Sequence, residues 1–328
     1  MSKLQLLITQ YREDETIIKN MLNSIQSQIN VDLSHDIEVF IGNDGSDKIL
    51  SEKFLKQYSF PIQYHMFKHF GIAGCRKRLF DLATAEYVMF CDGDDMFIND
   101  IALSLIFREM ENPFDCLNCD YYRELKDKNN NIKYILRTNN DHDVHGLVLR
   151  RKFLLDNKIE WHSELYEFQS IAYVAIVKIL AKERRILNSP IYLYKYYDNS
   201  ISQQDGKYHR VFRWSHYIDV YDALISDLLY RGISKHAKFY TSLCLHSSYL
   251  QLTDAKWYEE QNEIYRSSAY KRIADFYRKY HLLLTYTDDE ITKKTEDMAL
   301  KSFNKIERNT VSLPSIEEWL QSILNLYL

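Results

Sequence analysis

Short apolar runs alternate with stretches of helical periodicity through the first third of the chain, and this alternation restricts the fold more than any other feature. The pattern predicts strands at 4–9, 37–41, 62–67 and 87–91, and helices at 14–25 and 73–83. A helix between successive strands is the connection that a parallel sheet requires, and such helices cover both faces of the sheet. We therefore expect an α/β fold with a mostly parallel sheet flanked by helices. Asp14 or Thr16 is expected to cap the first helix.

Polar residues stand at the carboxyl ends of three predicted strands, namely Thr9, Asp44 and Asp92. Ligands of open α/β sheets bind beyond the carboxyl ends of the strands, so these residues are expected to converge on one crevice. Glycine is favoured where the backbone turns sharply or approaches a ligand, and six of the eight glycines precede residue 150. The ligand-binding loops are therefore expected in the N-terminal half.

The most informative segment is Asp92-Gly93-Asp94-Asp95, directly after the fourth predicted strand. Three carboxylates in four residues repel one another unless a cation or solvent relieves them. Mg²⁺ and Mn²⁺ bind carboxylate oxygens together with phosphate oxygens, and Gly93 would let the backbone approach a diphosphate. The alternative is a solvated acidic turn that caps the next helix.

The later part of the chain changes character near residue 206. The pattern predicts helices at 98–110 and 168–180, and strands at 114–122, 132–137 and 191–197. Segment 141–151 is predicted as a connection. Beyond it, apolar residues recur at helical spacing, as in Tyr217, Val220, Tyr221, Leu224 and Leu228. We expect a nucleotide-binding catalytic domain over 1–206 and a helical domain over 207–328.

Composition excludes several classes of protein. A net charge of −4 leaves no excess of basic residues of the kind that nucleic-acid-binding proteins carry. No apolar run approaches the roughly 20 residues of a membrane-spanning helix. The N-terminus lacks the apolar core of a signal peptide. Five cysteines without framework spacing favour a reduced, cytoplasmic setting, with Cys116 and Cys119 packed in a strand. Peripheral association with the inner face of the membrane stays open, as does a homo-oligomer formed through the helical domain.

Several segments, in order, resemble family 2 of the inverting glycosyltransferases, which have the GT-A fold. Residues 6–11 are similar to the family's opening strand, which ends in Thr-x-Tyr-Asn, and 38–47 to the strand closing in Asp-Asp-Gly-Ser. Residues 71–78 resemble its Gly-x-x-x-Ala-Arg-Asn segment, and 85–95 its Gly-Glu-Tyr-hydrophobic run with the metal-binding acids that follow. The resemblance covers roughly 3–205 and is strongest over the first 110 residues.

The resemblance implies a nucleotide-sugar site. Thr9 and Tyr11 would line the nucleotide base, and Asp44 would accept hydrogen bonds from it. Arg76 would contact the base or a phosphate, and Asp92 the ribose. Asp94 would also contact the nucleotide-sugar. Asp94 and Asp95 would hold Mn²⁺ or Mg²⁺. Alternatives stay open: Asp44 as a turn residue, Arg76 as a surface ion pair and Thr9 as strand packing.

The chain departs from the family pattern at Arg12, Asn43 and Lys77, where the family has Asn, Asp and Asn. None of these departures removes a metal ligand.

The catalytic base is less sharply defined. Family members often place Glu-Asp at the start of a helix about 70 residues after the metal-binding acids. Here Glu167 matches the Glu, but Phe168 replaces the Asp. Glu167 or Glu164 is expected to serve as base, unless both are ordinary acids of a first helical turn.

Three further positions have weaker assignments. His145 could touch phosphate or metal, or be a packed histidine. A loop containing Lys195 or Ser200 could close over the diphosphate.

The resemblance implies a metal-dependent hexosyltransferase or N-acetylhexosaminyltransferase of polysaccharide biosynthesis. It would move a sugar from a nucleotide-diphosphate donor, with UDP favoured, to a hydroxyl of a glycan or glycoconjugate. One alternative is a non-catalytic sugar-nucleotide or glycan-binding protein. Another is a sugar nucleotidyltransferase, which needs a glycine-rich loop after the first strand, whereas 9–13 contains no glycine.

Overall fold

A computed structural model describes residues 2–127, 129–138, 142–198, 209–253, 263–284, 289–302 and 314–327. The chain forms two compact units, Met1–Ser200 and Ile201–Leu328. The assignment of a catalytic domain to 1–206 and a separate helical domain to 207–328 stays a prediction, because compactness assigns no role.

The first unit is built on one mixed sheet flanked by helices. Its strands in the described residues are β1 (Leu4–Gln10), β2 (Ile37–Asn43), β3 (Ile62–Met66), β4 (Tyr87–Asp92), β5 (Met96–Phe97), β6 (Cys116–Lys126), β7 (Ile132–Arg137), β8 (Leu147–Arg150) and β9 (Arg184–Tyr194). They follow the order β3-β2-β1-β4-β8-β6-β9-β5, and β7 pairs with β6. The expected fold class is confirmed.

The first four strands form the parallel half of the sheet. β1 lies between β2 and β4, parallel to both, and β3 is parallel to β2. Every residue of β1 is buried, as expected for a strand covered on both faces. The second half adds antiparallel pairs, since β8 is antiparallel to both β4 and β6.

The helices of this unit are α1 (Glu15–Gln26), α2 (Glu52–Leu55), α3 (Gly71–Leu82), α4 (Ala102–Met110), α5 (Arg151–Asp156) and α6 (Gln169–Leu180). Asp14 caps α1, because its carboxylate accepts from the backbone N–H of Thr16 at 2.9 Å and of Ile17 at 3.3 Å. Helix α1 buries Ile18, Met21, Leu22 and Ile25.

Several elements differ from expectation. β9 spans Arg184–Tyr194 instead of 191–197, and helices α2 and α5 were not predicted. α4 starts at Ala102 rather than 98, because Met96 and Phe97 pair with Leu193 and Tyr192 of β9. The predicted connection 141–151 contains strand β8, which fills the space between β4 and β6. Short strands of this kind escape detection, since a few apolar residues have no measurable period.

The second unit is helical in its described residues. It contains α7 (His209–Tyr230), α8 (Ser234–Leu252), α9 (Glu263–Leu284), α10 (Asp289–Ser302) and α11 (Ile316–Leu326). The Trp214 indole N–H donates to Ser248 Oγ at 3.0 Å and joins α7 to α8. Among the described helices, none is both long and apolar enough to cross a membrane.

Candidate metal centre and its surroundings

The carboxyl ends of β1 and β4 bring Thr9 and Asp92 together. These residues are partners in the parallel register, and Thr9 Oγ1 donates to Asp92 Oδ1 at 3.1 Å. Arg76, from α3, donates to the same oxygen through Nη2 at 2.6 Å. Thr9 and Asp92, two of the three residues predicted to converge, are therefore in direct contact, and Arg76 joins them.

Arg76 is almost completely buried, with 3% of its surface exposed. Its guanidinium lies 4.9 Å from the ring centroid of Trp161 and is held against Asp92. This geometry excludes the surface ion pair that was the alternative. A contact between Arg76 and a nucleotide stays a prediction.

Asp95 lies at the centre of the site and is fully buried. One of its oxygens accepts from Tyr192 Oη at 2.8 Å and the other from the backbone N–H of Lys195 at 2.9 Å. The backbone N–H of Asp92 donates to the same Tyr192 oxygen at 3.0 Å. Tyr192 of β9 therefore fixes both aspartates relative to each other.

His145 completes a cluster of possible metal ligands. Its Nε2 lies 3.9 Å from Asp92 Oδ2, and its Nδ1 lies 3.8 Å from Asp95 Oδ2. The ring is buried and stacks on Tyr194 at 4.5 Å between centroids and on Tyr192 at 5.5 Å. One ligand atom each from Asp92, Asp95 and His145 lies within 4.8 Å of the others.

The observed cluster differs in membership from the predicted pair, Asp94 and Asp95. Asp95 belongs to it, while Asp94 lies outside the three converging residues. Metal binding by Asp94 stays a prediction.

Electrostatics support a cation at this place. Burial, then the charges of Asp94 and Asp92, raise the pKa of Asp95 well above its ordinary value. Burial, followed by the charge of Asp92, raises the pKa of Asp94 to about 7. Burial also opposes ionisation of Asp92, but Arg76 and His145 outweigh it and lower the pKa of this carboxyl. A divalent cation would relieve the carboxylate repulsion.

The donor set fits a hard divalent cation. Two carboxylates and an imidazole suit Mn²⁺, and Mg²⁺ is compatible with the carboxylates. His145 Nδ1 is buried and has no hydrogen-bond partner in the part of the chain that the structure describes. A buried ring nitrogen in this condition is available to a ligand.

Glu13 is a neighbour of the site that sequence reasoning missed. Burial, then the charge of Asp94, raises the pKa of Glu13 to about 7, so the two carboxyls influence each other. The backbone N–H of Tyr11 donates to the Glu13 carboxylate. Its position in the sequence could have predicted this, because Glu13 lies in the loop that directly follows the carboxyl end of β1.

Asp44 and Tyr11 form a second group beyond β1 and β2. Asp44 is buried and accepts from the backbone N–H of Phe70 at 2.8 Å, and His69 Nδ1 lies 2.8 Å from its other oxygen. The His69 ring stacks on Tyr11 at 4.6 Å between centroids. His69 was not predicted. The roles of Thr9, Tyr11 and Asp44 toward a base stay predictions.

The two candidate bases occupy different environments. Glu167 is buried, with 5% of its surface exposed, directly before α6. Glu164 has 66% of its side chain exposed and pairs with His162 at 3.0 Å. Phe168, which replaces the family's Asp, has a positive φ of 58°. The role of Glu167 or Glu164 as the base stays a prediction.

The segment after β9 is described only as far as residue 198. Lys195 is half-buried, and its charge lowers the pKa of Asp94 against the larger effect of burial. Ser200, the other residue expected to cover a diphosphate, lies outside the described residues.

Gly93 has a packing role in the fold, and its expected role toward a diphosphate stays a prediction. A Cβ at this position would lie 2.6 Å from Ile18 Cδ1 and 2.9 Å from the Thr9 carbonyl oxygen. The Gly93 N–H donates to that oxygen at 2.9 Å. The turn that presents the aspartates is therefore pressed against β1 and α1.

Comparison with known proteins gives consistent results. Residues 6–172 match the model of the family described as glycosyl transferase family 2. An uncharacterised glycosyltransferase of Rickettsia bellii is 36% identical over 105 residues, which are 31% of this chain and 15% of that protein.

Among solved structures, S. aureus TarS 1-349 in complex with UDP matches with a TM-score of 0.63 and 14% identity, over 96% of this chain and 95% of that one. The complex of TarS 1-349 with UDP-GlcNAc matches with a TM-score of 0.65 and 14% identity, over 93% of this chain and 92% of that one. These likenesses confirm the fold.

Proposed function

Because this chain belongs to glycosyl transferase family 2, we propose that it transfers a sugar from a nucleotide-diphosphate donor to a hydroxyl of a glycan or glycoconjugate. The donor is a UDP-linked hexose or N-acetylhexosamine, and one displacement inverts the anomeric centre. The UDP and UDP-GlcNAc complexes of the structurally similar TarS support the choice of nucleotide.

The observation that carries the proposal is the convergence of Asp92, Asp95 and His145 within 4.8 Å. These residues would hold Mn²⁺ or Mg²⁺. When bound, such a cation stabilises the negative charge that develops on a leaving diphosphate. Tyr192 and Arg76 orient the two carboxylates through hydrogen bonds of 2.8 and 2.6 Å. Such orientation is what outer residues of metal sites supply.

The nucleotide base lies next to Tyr11 and Asp44. The Tyr11–His69 stack offers a flat aromatic surface, with ring planes inclined by only 20°. Asp44 retains acceptor capacity on its carboxylate beside this surface, since each carboxylate oxygen has two lone pairs. These features suit a planar base that carries an N–H donor.

Glu167 accepts the proton of the acceptor hydroxyl. Its support is its burial directly before α6, where the family has its Glu-Asp pair. Glu164 is the weaker candidate, since its exposed side chain already pairs with His162.

The test is ligand-induced thermal stabilisation by a panel of UDP-, GDP- and dTDP-sugars with Mn²⁺. A bound ligand raises the stability of the native state, and saturation at 100 times Kd adds about 2.7 kcal/mol. We expect a UDP-sugar to raise Tm in the wild type and to lose this effect in Asp95→Asn. Asp156→Asn is the control, since this exposed acid pairs with Lys152 on α5. Equal stabilisation of Asp95→Asn by the same donor would contradict the proposed site.

A non-catalytic binding protein is the second candidate. The observation that favours it is Phe168 in place of the family's Asp. Release of nucleotide diphosphate from the stabilising donor distinguishes the two, because a binding protein leaves that donor intact.

A further inference from the structure

Two arginines lie on the same sheet face as the metal cluster. In the parallel pairing of β6 with β9, Tyr121 is opposite Tyr192 and Arg123 is opposite Tyr194. In the antiparallel pairing of β6 with β7, Arg137 is opposite Tyr121. Paired residues of neighbouring strands project to the same face. Because Tyr192 and Tyr194 stack on His145, Arg123 and Arg137 extend the face that carries His145.

Arg123 is half-buried, and its guanidinium lies 5.1 Å from the ring centroid of Tyr194. Its Nε is buried and has no hydrogen-bond partner in the described residues. A buried donor without a partner is costly, so the site is built for an acceptor. The stack of Arg123 on Tyr194, and of Tyr194 on His145, connects this donor to the cluster.

Arg137 ends the exposed strand β7. Burial raises the pKa of the Tyr121 hydroxyl, as does Asp143, whereas Arg137 and Arg123 lower it, so both guanidinium charges act at this side chain. Tyr121 Oη donates to Asp143 at 2.5 Å. Neither arginine forms an ion pair with the acids in the described segments of the chain.

The lysines of the same hairpin differ in this respect. Lys126 pairs with Asp198 at 2.9 Å and Lys133 with Asp127 at 3.2 Å. Among the described residues, the two cations of these strands without a carboxylate partner are therefore the two arginines on the face of the metal cluster.

The sheet order separates these arginines from the nucleotide residues. From β4, the order runs through β1 to β2 and β3 on one side and through β8 to β6 on the other. Thr9 and Asp44 belong to the first side, and Arg123 and Arg137 to the second. An anion bound by the arginines would lie across the metal cluster from the base.

We propose that Arg123 and Arg137 bind a phosphate group of the acceptor. This inference rests on the proposed function, which assigns the donor diphosphate to Asp92, Asp95 and His145. Guanidinium groups match the oxygens of a phosphate through parallel N–H donors. The acceptor class is therefore a phosphate-bearing glycan or glycoconjugate.

The probe is inorganic phosphate, titrated at constant ionic strength set with chloride into full-length protein saturated with UDP and Mg²⁺. Binding is followed through the arginine Nε–H resonances, assigned from the Arg123→Gln and Arg137→Gln variants. We expect both resonances to shift in the wild type. Each variant should weaken phosphate binding about tenfold, the loss expected for a charge-assisted hydrogen bond. The UDP-induced rise in Tm should be unchanged.

Lys126→Gln is the matched control, because it removes one positive charge from the same strand on the opposite face. It should leave phosphate binding unchanged. If it weakened phosphate binding as much as the arginine variants do, net charge alone would explain the effect and the inference would be overturned. Phosphate binding that UDP abolishes, with weaker UDP binding in both arginine variants, would assign the arginines to the donor and also overturn it.

The experiment distinguishes failure of the proposed function from failure of the acceptor inference. If UDP with Mg²⁺ leaves Tm unchanged, the proposed function is wrong. If UDP with Mg²⁺ raises Tm but phosphate shifts neither resonance, only the acceptor inference is wrong.

Discussion

His145 shows how a single residue acquires meaning from its surroundings. In the sequence it is one of 11 histidines, and a packed ring was an open alternative. In the fold it is both packed and close to two aspartates, since it stacks on Tyr194 while lying 3.8 Å from Asp95. Burial lowers the pKa of this ring, which favours the neutral imidazole that binds metals. The His145 ring can therefore be packed against tyrosines and still be available to bind a metal ion.

Glu13 gives a prediction of pH dependence. Its pKa in the folded protein is about 7, against an ordinary value of 4.5. Because the native state binds this proton more tightly than the unfolded chain does, the ionisation of Glu13 reduces stability as pH rises from about 4.5 to 7. Glu13→Gln should therefore be more stabilising at pH 8 than at pH 5 in metal-free protein. The measurement is the free energy of unfolding in urea at both values, with a chelator present.

Glu15→Gln is the control for this experiment. A hydrogen bond from Ser51 lowers the pKa of Glu15, so this residue is mostly ionised in both the folded and the unfolded state at pH 5 and above. Its replacement should change stability equally at pH 5 and pH 8. A pH-independent effect of Glu13→Gln would contradict the raised pKa.

At the scale of elements, the turn after β4 is fixed by the strand and helix behind it. Gly93 contacts the Thr9 carbonyl of β1 and the Ile18 side chain of α1. The aspartates therefore stand on a rigid support, and positions on such supports are more sharply defined than positions on free loops.

Gly93→Ala should destabilise the protein by about 1–3 kcal/mol, the usual cost of overpacking. Part of this cost comes from Ile18 Cδ1, at 2.6 Å from the new methyl group, and part from the Thr9 carbonyl oxygen. Ile18→Val removes Cδ1, so the double variant should be less destabilised than the sum of the single variants. Urea unfolding of the four proteins measures the coupling. Strict additivity would show that Ile18 does not limit the space at Gly93.

At the scale of the whole molecule, every predicted site residue lies in the unit Met1–Ser200. Hydrogen exchange should therefore report UDP and Mn²⁺ binding by slower exchange at the ends of β1 and β4. Peptides from α7 to α11 should exchange unchanged, because a ligand slows only the openings that disrupt its site. Asp95→Asn should lose the effect. Equal slowing in both units would show that the helical unit takes part in nucleotide binding.

The sequence determined the parallel half of the sheet and the positions of polar residues at the carboxyl ends of its strands. Strands β1, β2 and β4 are mostly apolar, buried runs and β3 is a shorter mixed run, and helices separate them, so their type follows from local pattern. Their carboxyl ends carry Thr9, Asp44 and Asp92, and the rule for open sheets predicts that these converge. Thr9 and Asp92 are in contact, whereas Asp44 contacts Phe70 and His69. The capping acid Asp14 was also accessible, because a cap is a local interaction.

Only the tertiary structure decided which ligand atoms meet. His145 and Tyr192 come from segments 50 or more residues beyond Asp92. The antiparallel pairing of β8 with β4 and β6, and the parallel pairing of β9 with β6, bring them to it. Local sequence does not predict such pairing, because the pairing depends on which strands become neighbours in the sheet. The same reason explains why Gly93 is required by packing and why Arg123 and Arg137 share a face with the cluster. The sequence determined the chemistry available to this protein, and strand order and register decided which of those groups act together.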